Sequence, residues 1–470
     1  MIGHVIKIYR NSGLKPALKA ALHDLGAGAS RRRQALFYAR SLFSEEQRES
    51  TELSGYCIVK TGNVKLHRDM VCELDKVIEE RQPAVIYMDE LRDGELLYKP
   101  DYAPDNLAAH NYIGNCVVVR RDLMDDCAVK LSGKASLWSF NKYICGGCRE
   151  DEIAHVSRAL FEDKGHIGED GDNIKDSIVD GFENASNGKY CKKISVIIPN
   201  YEHADDLRRC VESLIYINTY KNIEIIIVEN NSKSEEILSC YDELLREHPD
   251  VIRLEKWEGS FNYSAINNYG ASRADGELLL LLNNDTKIIE PDSLWAMAEY
   301  AVRDNTGAVG ACLLYENKTV QHAGVIVGIG PDRTAVHPNS GVCFIENGYR
   351  DSIHHVQNYS AVTGACLMIK KELFDKLGGL DEELAVAYND VDFCLRLRRR
   401  GLLNVYVPQA LLFHYESKSR GYDDKGERHE RFLRESQLFR DRWQNIIDDG
   451  DSYYNVNLSK EVPWKPEIKL

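Results

Sequence analysis

Asp285 closes the run Glu277-Leu-Leu-Leu-Leu-Leu-Asn-Asn-Asp285, in which five consecutive leucines deliver one carboxylate to a polar tip. A continuous apolar run bounded by turn-formers suits an inner strand covered on both faces, and ligands in such sheets sit at the carboxyl ends of strands. His414 ends a second apolar run, Val405 to Phe413, so an imidazole joins the carboxylate as a strand-end group. Mixed oxygen and nitrogen donors of this kind suit Mn²⁺, with Mg²⁺ as the alternative. A third group, Asp390, lies in Tyr388-Asn-Asp-Val-Asp-Phe-Cys-Leu-Arg-Leu-Arg-Arg-Arg400, a segment that opens with acids and closes with arginines, as a helix dipole favours. A carboxylate in that first turn can accept a proton from an incoming hydroxyl; equally, Asp390 and Asp392 can serve only as caps, and Asn283 to Thr286 can simply start the next helix.

The elements that must position these groups follow from periodicity. Strand candidates at 194–198, 223–229, 251–255 and 277–282 alternate with helical-period segments at 204–217, 234–247 and 263–274. That winding predicts an α/β domain built on a mainly parallel sheet with right-handed crossovers. Pro199, Asn200 and Tyr201 end the first strand, and Glu229 ends the second, ahead of the turn and cap sequence Asn230-Asn231-Ser232. A polar, glycine-rich stretch before Ile194 marks a boundary, giving a first domain at 1–165, a linker at 166–192, a second domain at 193–420 and a C-terminal helix and tail at 421–470. In that helix Phe432, Leu433, Leu438, Phe439 and Trp443 form an apolar stripe, which predicts packing back on the second domain, with membrane-surface contact as the sharper alternative.

The first domain reads as a partial copy of the second. Asn111 to Leu123 echoes Asn358 to Leu373, and Ile153 to Phe161 echoes Asn404 to Phe413; Gly114 to Phe161 spans 47 positions and Gly364 to Phe413 spans 49. A repeat of this size implies a duplicated domain. The copies diverge where chemistry is expected. Thr61-Gly-Asn63 stands for Asn283-Asn-Asp285, Glu162 aligns with His414, and nothing near Trp138 matches the acidic cluster. The opening βαβ unit is also missing, so the first copy is expected to be a non-catalytic scaffold or binding domain.

Composition narrows the partners. A chain of 470 residues with 43% hydrophobic content supports two or more folded domains. Its net charge of −15 argues against nucleic acid, which needs clustered positive charge. Arg31 to Arg33 and Arg396 to Arg400 are local basic patches, suited to anionic membranes or phosphates or simply to solvated helix faces. No apolar run reaches the roughly 20 residues that cross a bilayer, and the start lacks a signal-peptide pattern, so a soluble cytoplasmic protein is expected. The 13 cysteines are odd in number and scattered, as small buried hydrophobes in a reducing compartment would be. Cys145-Gly-Gly-Cys148 has zinc-knuckle spacing without a second pair to complete four ligands.

In order along the chain, Ile194 to Tyr201, Val228-Glu-Asn-Asn-Ser232, Asn283-Asn-Asp285, Gln321-His-Ala-Gly324, Thr363-Gly-Ala-Cys366, Asn389-Asp-Val-Asp392 and His414 resemble the family 2 inverting glycosyltransferases with the GT-A fold, over about 193–420. Phe261-Asn-Tyr-Ser-Ala-Ile-Asn-Asn268 with Gln321 to Gly324 is similar to bacterial enzymes that build O-antigen, capsule or rhamnan-type surface polysaccharides. Val85 to Glu90 through Arg121 resembles part of the tandem transferase module of such proteins. The resemblance implies a UDP-, dTDP- or GDP-linked sugar donor, a divalent metal (Mn²⁺ or Mg²⁺) and a glycan or lipid-linked glycan acceptor. Pro199, Asn200, Tyr201 and Glu229 would hold the nucleoside, with Glu229 in place of the more usual aspartate. Asn262, Asn267, Asn283 and Asn284 would join them around the donor. Asp285 would bind the metal with His414, Asp390 would be the general base, and Thr363 and Gly364 would line the cleft. His322 would position sugar or phosphate or be structural. A peripheral place at the inner face of the plasma membrane and a homodimer through the silent copy are compatible with this picture. The alternative is a non-catalytic glycan- or nucleotide-binding scaffold; a sugar-phosphate nucleotidyltransferase would need a glycine-rich phosphate loop that is missing after Ile198.

Overall fold

The computed structural model describes residues 53–61, 63–124, 136–164, 191–415 and 426–466; Arg31 to Arg33 and most of the expected linker lie outside them. The chain divides into two compact units, Met1–Asp172 with Ser452–Leu470 and Asn173–Asp451. The expected 421–470 element is therefore split between them. Its tail joins the first unit because Asn455 donates to both carboxylate oxygens of Asp89 at 3.0 Å and to the Lys99 carbonyl at 2.8 Å.

In the first unit β1 (Tyr56–Lys60), β2 (Val64–Leu66), β3 (Val85–Arg92), β4 (Glu95–Leu97), β5 (Cys116–Arg120) and β6 (Ile153–Asp163) form one sheet ordered β1-β5-β3-β6-β2, with β4 on β3. Helices α1 (Met70–Arg81), α2 (Pro104–Ala109) and α3 (Leu137–Gly146) complete it. Leu74 of α1 packs with Ile86, Val118 and Phe161 in a core that excludes water.

The second unit opens with four parallel strands, β7 (Ile194–Asn200), β8 (Ile223–Glu229), β9 (Ile252–Lys256) and β10 (Leu278–Leu282), in the spatial order β9-β8-β7-β10. Their crossovers are α4 (Ala204–Glu212), which runs on into a π-helical turn at Ser213–Ile217, α5 (Glu235–Glu247) and α6 (Tyr263–Ser272). All five leucines of β10 are buried, as an inner strand between β7 and a further neighbour requires. Gly270 lets α6 close on β7, since a Cβ there would press into Ile197 at 2.5 Å.

The sheet continues through β11 (Thr286–Ile288), β12 (Thr306–Leu314), β13 (Val320–His322), the hairpin β14 (Ile326–Val327) and β15 (Ala335–Val336), which pairs apart from it, and then β16 (Gln357–Tyr359), β17 (Cys366–Lys370) and β18 (Leu403–His414). Helix α7 (Ser293–Ala301) precedes β12, α8 (Lys371–Lys376) follows β17, α9 (Asn389–Arg398) leads into β18, and α10 (Gly426–Asp449) ends the unit. The order is β11-β18-β12-β17-β10-β7-β8-β9, with β13 on β12 and β16 on β18. It is mixed rather than mainly parallel, because β17 runs antiparallel to both β10 and β12. The chain leaves β12 and re-enters β17 at the same end of the sheet, so no crossover intervenes.

Helix α10 uses its apolar stripe internally: Phe439 and Trp443 are fully buried in the second unit's core, while Leu433 stays exposed. Two such side chains contribute roughly 1.5–3 kcal/mol each. Among the described residues no helix is long and apolar enough to cross a membrane, and no group of three or more metal-ligating side chains occurs, the Cys145 and Cys148 region included.

The two sheets share one pairing scheme. In the first, β3 pairs parallel with β6 and antiparallel with β5, β5 with β1, and β6 with β2; in the second, β12 does so with β18 and β17, β17 with β10, and β18 with β11. Backbone bonds repeat as well. Thr61 N donates to Asn115 O and Asn283 N to Ala365 O; Lys164 N donates to Asn63 O and Tyr415 N to Asp285 O. This register corrects the alignment of Glu162 with His414. Asp163 faces Val64 as His414 faces Thr286, so the counterpart of His414 is Asp163.

Candidate active site

The strand ends of the second unit collect the polar side chains. The turn after β10 carries Asn283, Asn284 and Asp285, and because β11 pairs with the end of β18, His414 arrives beside them. His414 Nε2 lies 3.2 Å from Asp285 Oδ1, with both side chains under 10% exposed. Burial works to raise the Asp285 pKa, yet His414 and the local backbone outweigh it and hold the carboxyl below its ordinary range. Asp285 Oδ1 and the far ring nitrogen of His414, Nδ1, are buried atoms without a hydrogen-bond partner, while His414 Nε2 lies 3.3 Å from the Asn283 amide. A buried carboxylate oxygen without a hydrogen-bond partner beside an imidazole is a donor set that would suit a divalent cation, with Asp285 and His414 as the groups that would hold it.

Asp390 occupies the first turn of α9. Its Oδ2 accepts the Gly364 N–H at 2.7 Å and its Oδ1 accepts the Val391 N–H at 2.8 Å. Two backbone bonds fix the plane of the carboxylate and leave lone pairs for a third partner. Asp392, by contrast, is fully buried and accepts from Arg396 Nε at 2.8 Å, Arg442 at 2.7 Å and Trp443 Nε1 at 2.9 Å. It ties α9 to α10. Glu435 of α10 accepts from the Val386 and Ala387 amides at 3.2 and 2.5 Å, so α10 also holds the loop that leads into Asp390.

At the other end of the cleft Asn284 Nδ2 donates to Asn200 Oδ1 at 2.6 Å, and Asn200 Nδ2 donates to the Tyr241 hydroxyl at 2.7 Å. These asparagines lock the tips of β7 and β10 together. Tyr201 is 51% exposed, which leaves its ring available for stacking. Glu229 is 9% exposed and accepts the Ser232 N–H through Oε1. Glu202 and His203 both adopt φ near +55°, a costly left-handed pair for non-glycine residues. Glu202 offsets that cost by accepting from the Lys233 amide at 2.7 Å and from Ser234, which fastens the β7 turn to the start of α5.

Residues 192–441, more than half of the chain, match the family described as glycosyltransferase-like family 2. The chain belongs to that family. As a family 2 glycosyltransferase it is 32% identical over 401 residues to the O-antigen biosynthesis protein RfbC of Myxococcus xanthus, covering 77% of this chain and 30% of that protein. It is 42% identical over 270 residues to the uncharacterized protein y4gI of Sinorhizobium fredii, covering 57% of this chain and 29% of that one. The chain thus spans about three tenths of the length of these curated relatives. The solved structure of GalNAc-T7 with UDP, GalNAc and Mn²⁺ resembles it at a TM-score of 0.46 and 16% identity, over 56% of this chain and 50% of that one.

Within this family 2 glycosyltransferase several side chains expected at the donor bond within the protein: Asn200 and Asn284 to each other, and His322, Asn262 and Asn267 to backbone groups. His322 is fully buried: its Nδ1 lies 2.9 Å from the Ala311 carbonyl and its Nε2 accepts the Thr363 N–H at 3.1 Å. Burial pushes its pKa down to about 3, so it is a neutral imidazole that holds the Thr363 turn rather than a group reaching for sugar or phosphate. Asn262 caps α6 through the Ala265 N–H at 3.0 Å, and buried Asn267 donates to the Tyr263 carbonyl at 2.8 Å. Asn262 also donates to the Glu382 carbonyl at 2.9 Å, and Asn267 Oδ1 is buried without a hydrogen-bond partner. The residue missed between them is Tyr263, whose hydroxyl stands 3.0 Å from Asn283 Oδ1 and 3.0 Å from the Gly364 carbonyl. Its position at the head of a helix, just after an N-cap asparagine, is the signal that could have drawn attention to it.

Proposed function

We propose that the second unit is a metal-dependent inverting hexosyltransferase that moves a hexose from a nucleotide diphosphate sugar to a growing surface polysaccharide or lipid-linked glycan. The observation that carries this reading is the convergence of the buried Asp285–His414 pair, with Asp285 Oδ1 unpartnered, and the backbone-held carboxylate of Asp390 around the Asn283 and Gly364 turns. The name of the Myxococcus relative, an O-antigen biosynthesis protein, supports the acceptor class.

In this reading Tyr201 stacks on the base, Glu229 offers Oε2 to the nucleoside, and Asp285 with His414 holds the cation. When bound, the cation offsets charge that builds on the departing diphosphate. Asp390 accepts the proton of the acceptor hydroxyl as that oxygen bonds to the anomeric carbon; the bond from that carbon to the diphosphate breaks on the opposite side, and configuration inverts. A single base suffices, provided it lies within about 3 Å of the hydroxyl. The first unit is read as a non-catalytic scaffold. Its Asn63 stands for Asp285, Asp163 for His414, and α3 contains no carboxylate at all.

The test is nucleotide release by the purified protein with Mn²⁺ across UDP-, GDP- and dTDP-linked hexoses, beside Asp285→Ala. Release from one donor that falls to background in Asp285→Ala is the expected result. Calorimetric binding of none of these nucleotides would favour the scaffold reading for both units.

A further inference from the structure

Tyr263 joins the two halves of the site. Its hydroxyl lies 3.0 Å from Asn283 Oδ1, and the amide of that asparagine lies 3.3 Å from His414 Nε2, which in turn lies 3.2 Å from Asp285. The same hydroxyl lies 3.0 Å from the carbonyl of Gly364, whose N–H holds Asp390 Oδ2 at 2.7 Å. A hydroxyl has one proton and two lone pairs, so it donates to one of these oxygens, and turning the Asn283 amide lets that side chain donate to the hydroxyl in return. Both contacts are then hydrogen bonds.

The Gly364 peptide has no side chain of its own to anchor it. A Cβ built there would stand 3.3 Å from Asp390 Cβ and 3.7 Å from the Tyr263 hydroxyl, so the base and the phenol meet across a bare backbone. The turn is fixed through its neighbours. Thr363 N is held by His322, the Ala365 carbonyl by Asn283 N, and the Gly364 carbonyl by Tyr263. Tyr263 is itself held firmly, because Asn262 caps its helix and its amide donates to the Ala385 carbonyl at 2.8 Å, in the loop that leads into Asp390.

We propose that Tyr263 is a positioning residue for transfer: its hydroxyl sets the distance between the Asp285–His414 pair and the Asp390 base by bonding to Asn283 and Gly364 together. The proposal rests on the reading of these three residues given above. A misplacement of about 1 Å in such a constellation costs on the order of 100-fold in rate. Loss of a supporting hydrogen bond behind a ligand costs about 10–100-fold.

Tyr263→Phe removes the hydroxyl and keeps the ring. The expected result is a kcat lower by about 10–100-fold, with the donor KM, the calorimetric affinity for nucleotide with Mn²⁺ and the melting temperature all at wild-type values. In an Asp390→Asn background the same change should cost no further activity, because the group it positions has gone. An unchanged kcat, a fall in kcat matched by a fall in melting temperature, or a full multiplicative loss on top of Asp390→Asn would each overturn the proposal while leaving the site reading intact. A wild-type protein that binds no nucleotide with Mn²⁺ would overturn both.

Discussion

In the first unit the peptide of Gly114 faces a buried ion pair, Glu90 and Lys99, whereas in the second the peptide of Gly364 faces Asp390 and Tyr263. A Cβ at Gly114 would run into Glu90 Oε2 and stand 3.2 Å from Lys99 Nζ. Lys99 Nζ also donates to the Ile113 carbonyl at 2.6 Å, and both charged side chains are fully inaccessible. Arg92 pairs with Glu90 on the other side. At the strand position where the first unit has Glu90, paired across to β4, the second has Leu313, paired across to β13. One sheet plan therefore supports two uses of the space beside the glycine turn. Charges neutralise one another where no ligand is expected, and apolar strands leave polar turns free to converge where one is.

The largest expected effect on the second unit's side of this comparison is at Asp390. Asp390→Asn should lower kcat about 10²–10⁴-fold while nucleotide affinity, measured by calorimetry, is retained; a fall in affinity of the same size would make Asp390 a binding group instead. On the first unit's side, Lys99→Met leaves Glu90 with Arg92 alone and the Ile113 carbonyl without its donor, and should cost about 1–3 kcal/mol in urea denaturation. Glu90→Leu with Lys99→Met should recover part of that loss, since Arg92 then keeps Asp163 at 3.7 Å, and brings the first sheet nearer to the second. Failure of the double variant to recover would mean that the pair supports more than its own neutrality.

The smallest effect concerns His155, stacked on Tyr87 at 4.8 Å, with Nε2 3.0 Å from Asp89 and Nδ1 3.1 Å from Asp101. Burial works to lower its pKa, but the two carboxylates outweigh it and raise it above the ordinary value. A raised folded pKa contributes stability that is fully present below about pH 6.5 and lost as pH rises through the folded value. The gap in denaturation midpoint between wild type and His155→Gln should therefore narrow from pH 6 to pH 9; a constant gap would assign the histidine a packing role alone.

Much of the second unit was legible in the sequence. β7, β8, β9 and β10 fall where four apolar runs alternate with helical periods, and the strand-end positions of Asp285 and His414 follow from those runs. The partition within Asn389 to Asp392 was not legible, because both aspartates fit a cap and only the arrival of Arg442 and Trp443 from α10 claims Asp392 for the core. Asn262 and Asn267 were expected around the donor on the family resemblance, and helix geometry places one at the N-cap and the other inward. The antiparallel insertion of β17 was equally hidden, since periodicity gives a strand no direction.

Hydrophobic spacing alone determined the alternation of strands and helices in the second unit and the residue types at the strand ends, because those depend on local periods of 2.0 and 3.6 residues. Which residues meet depends on register, and a slip of one position exchanges inward and outward faces. Register put Asp163 rather than Glu162 in the place of His414, and long-range packing brought Tyr263 between Asn283 and Gly364, 20 and 101 residues further along the chain.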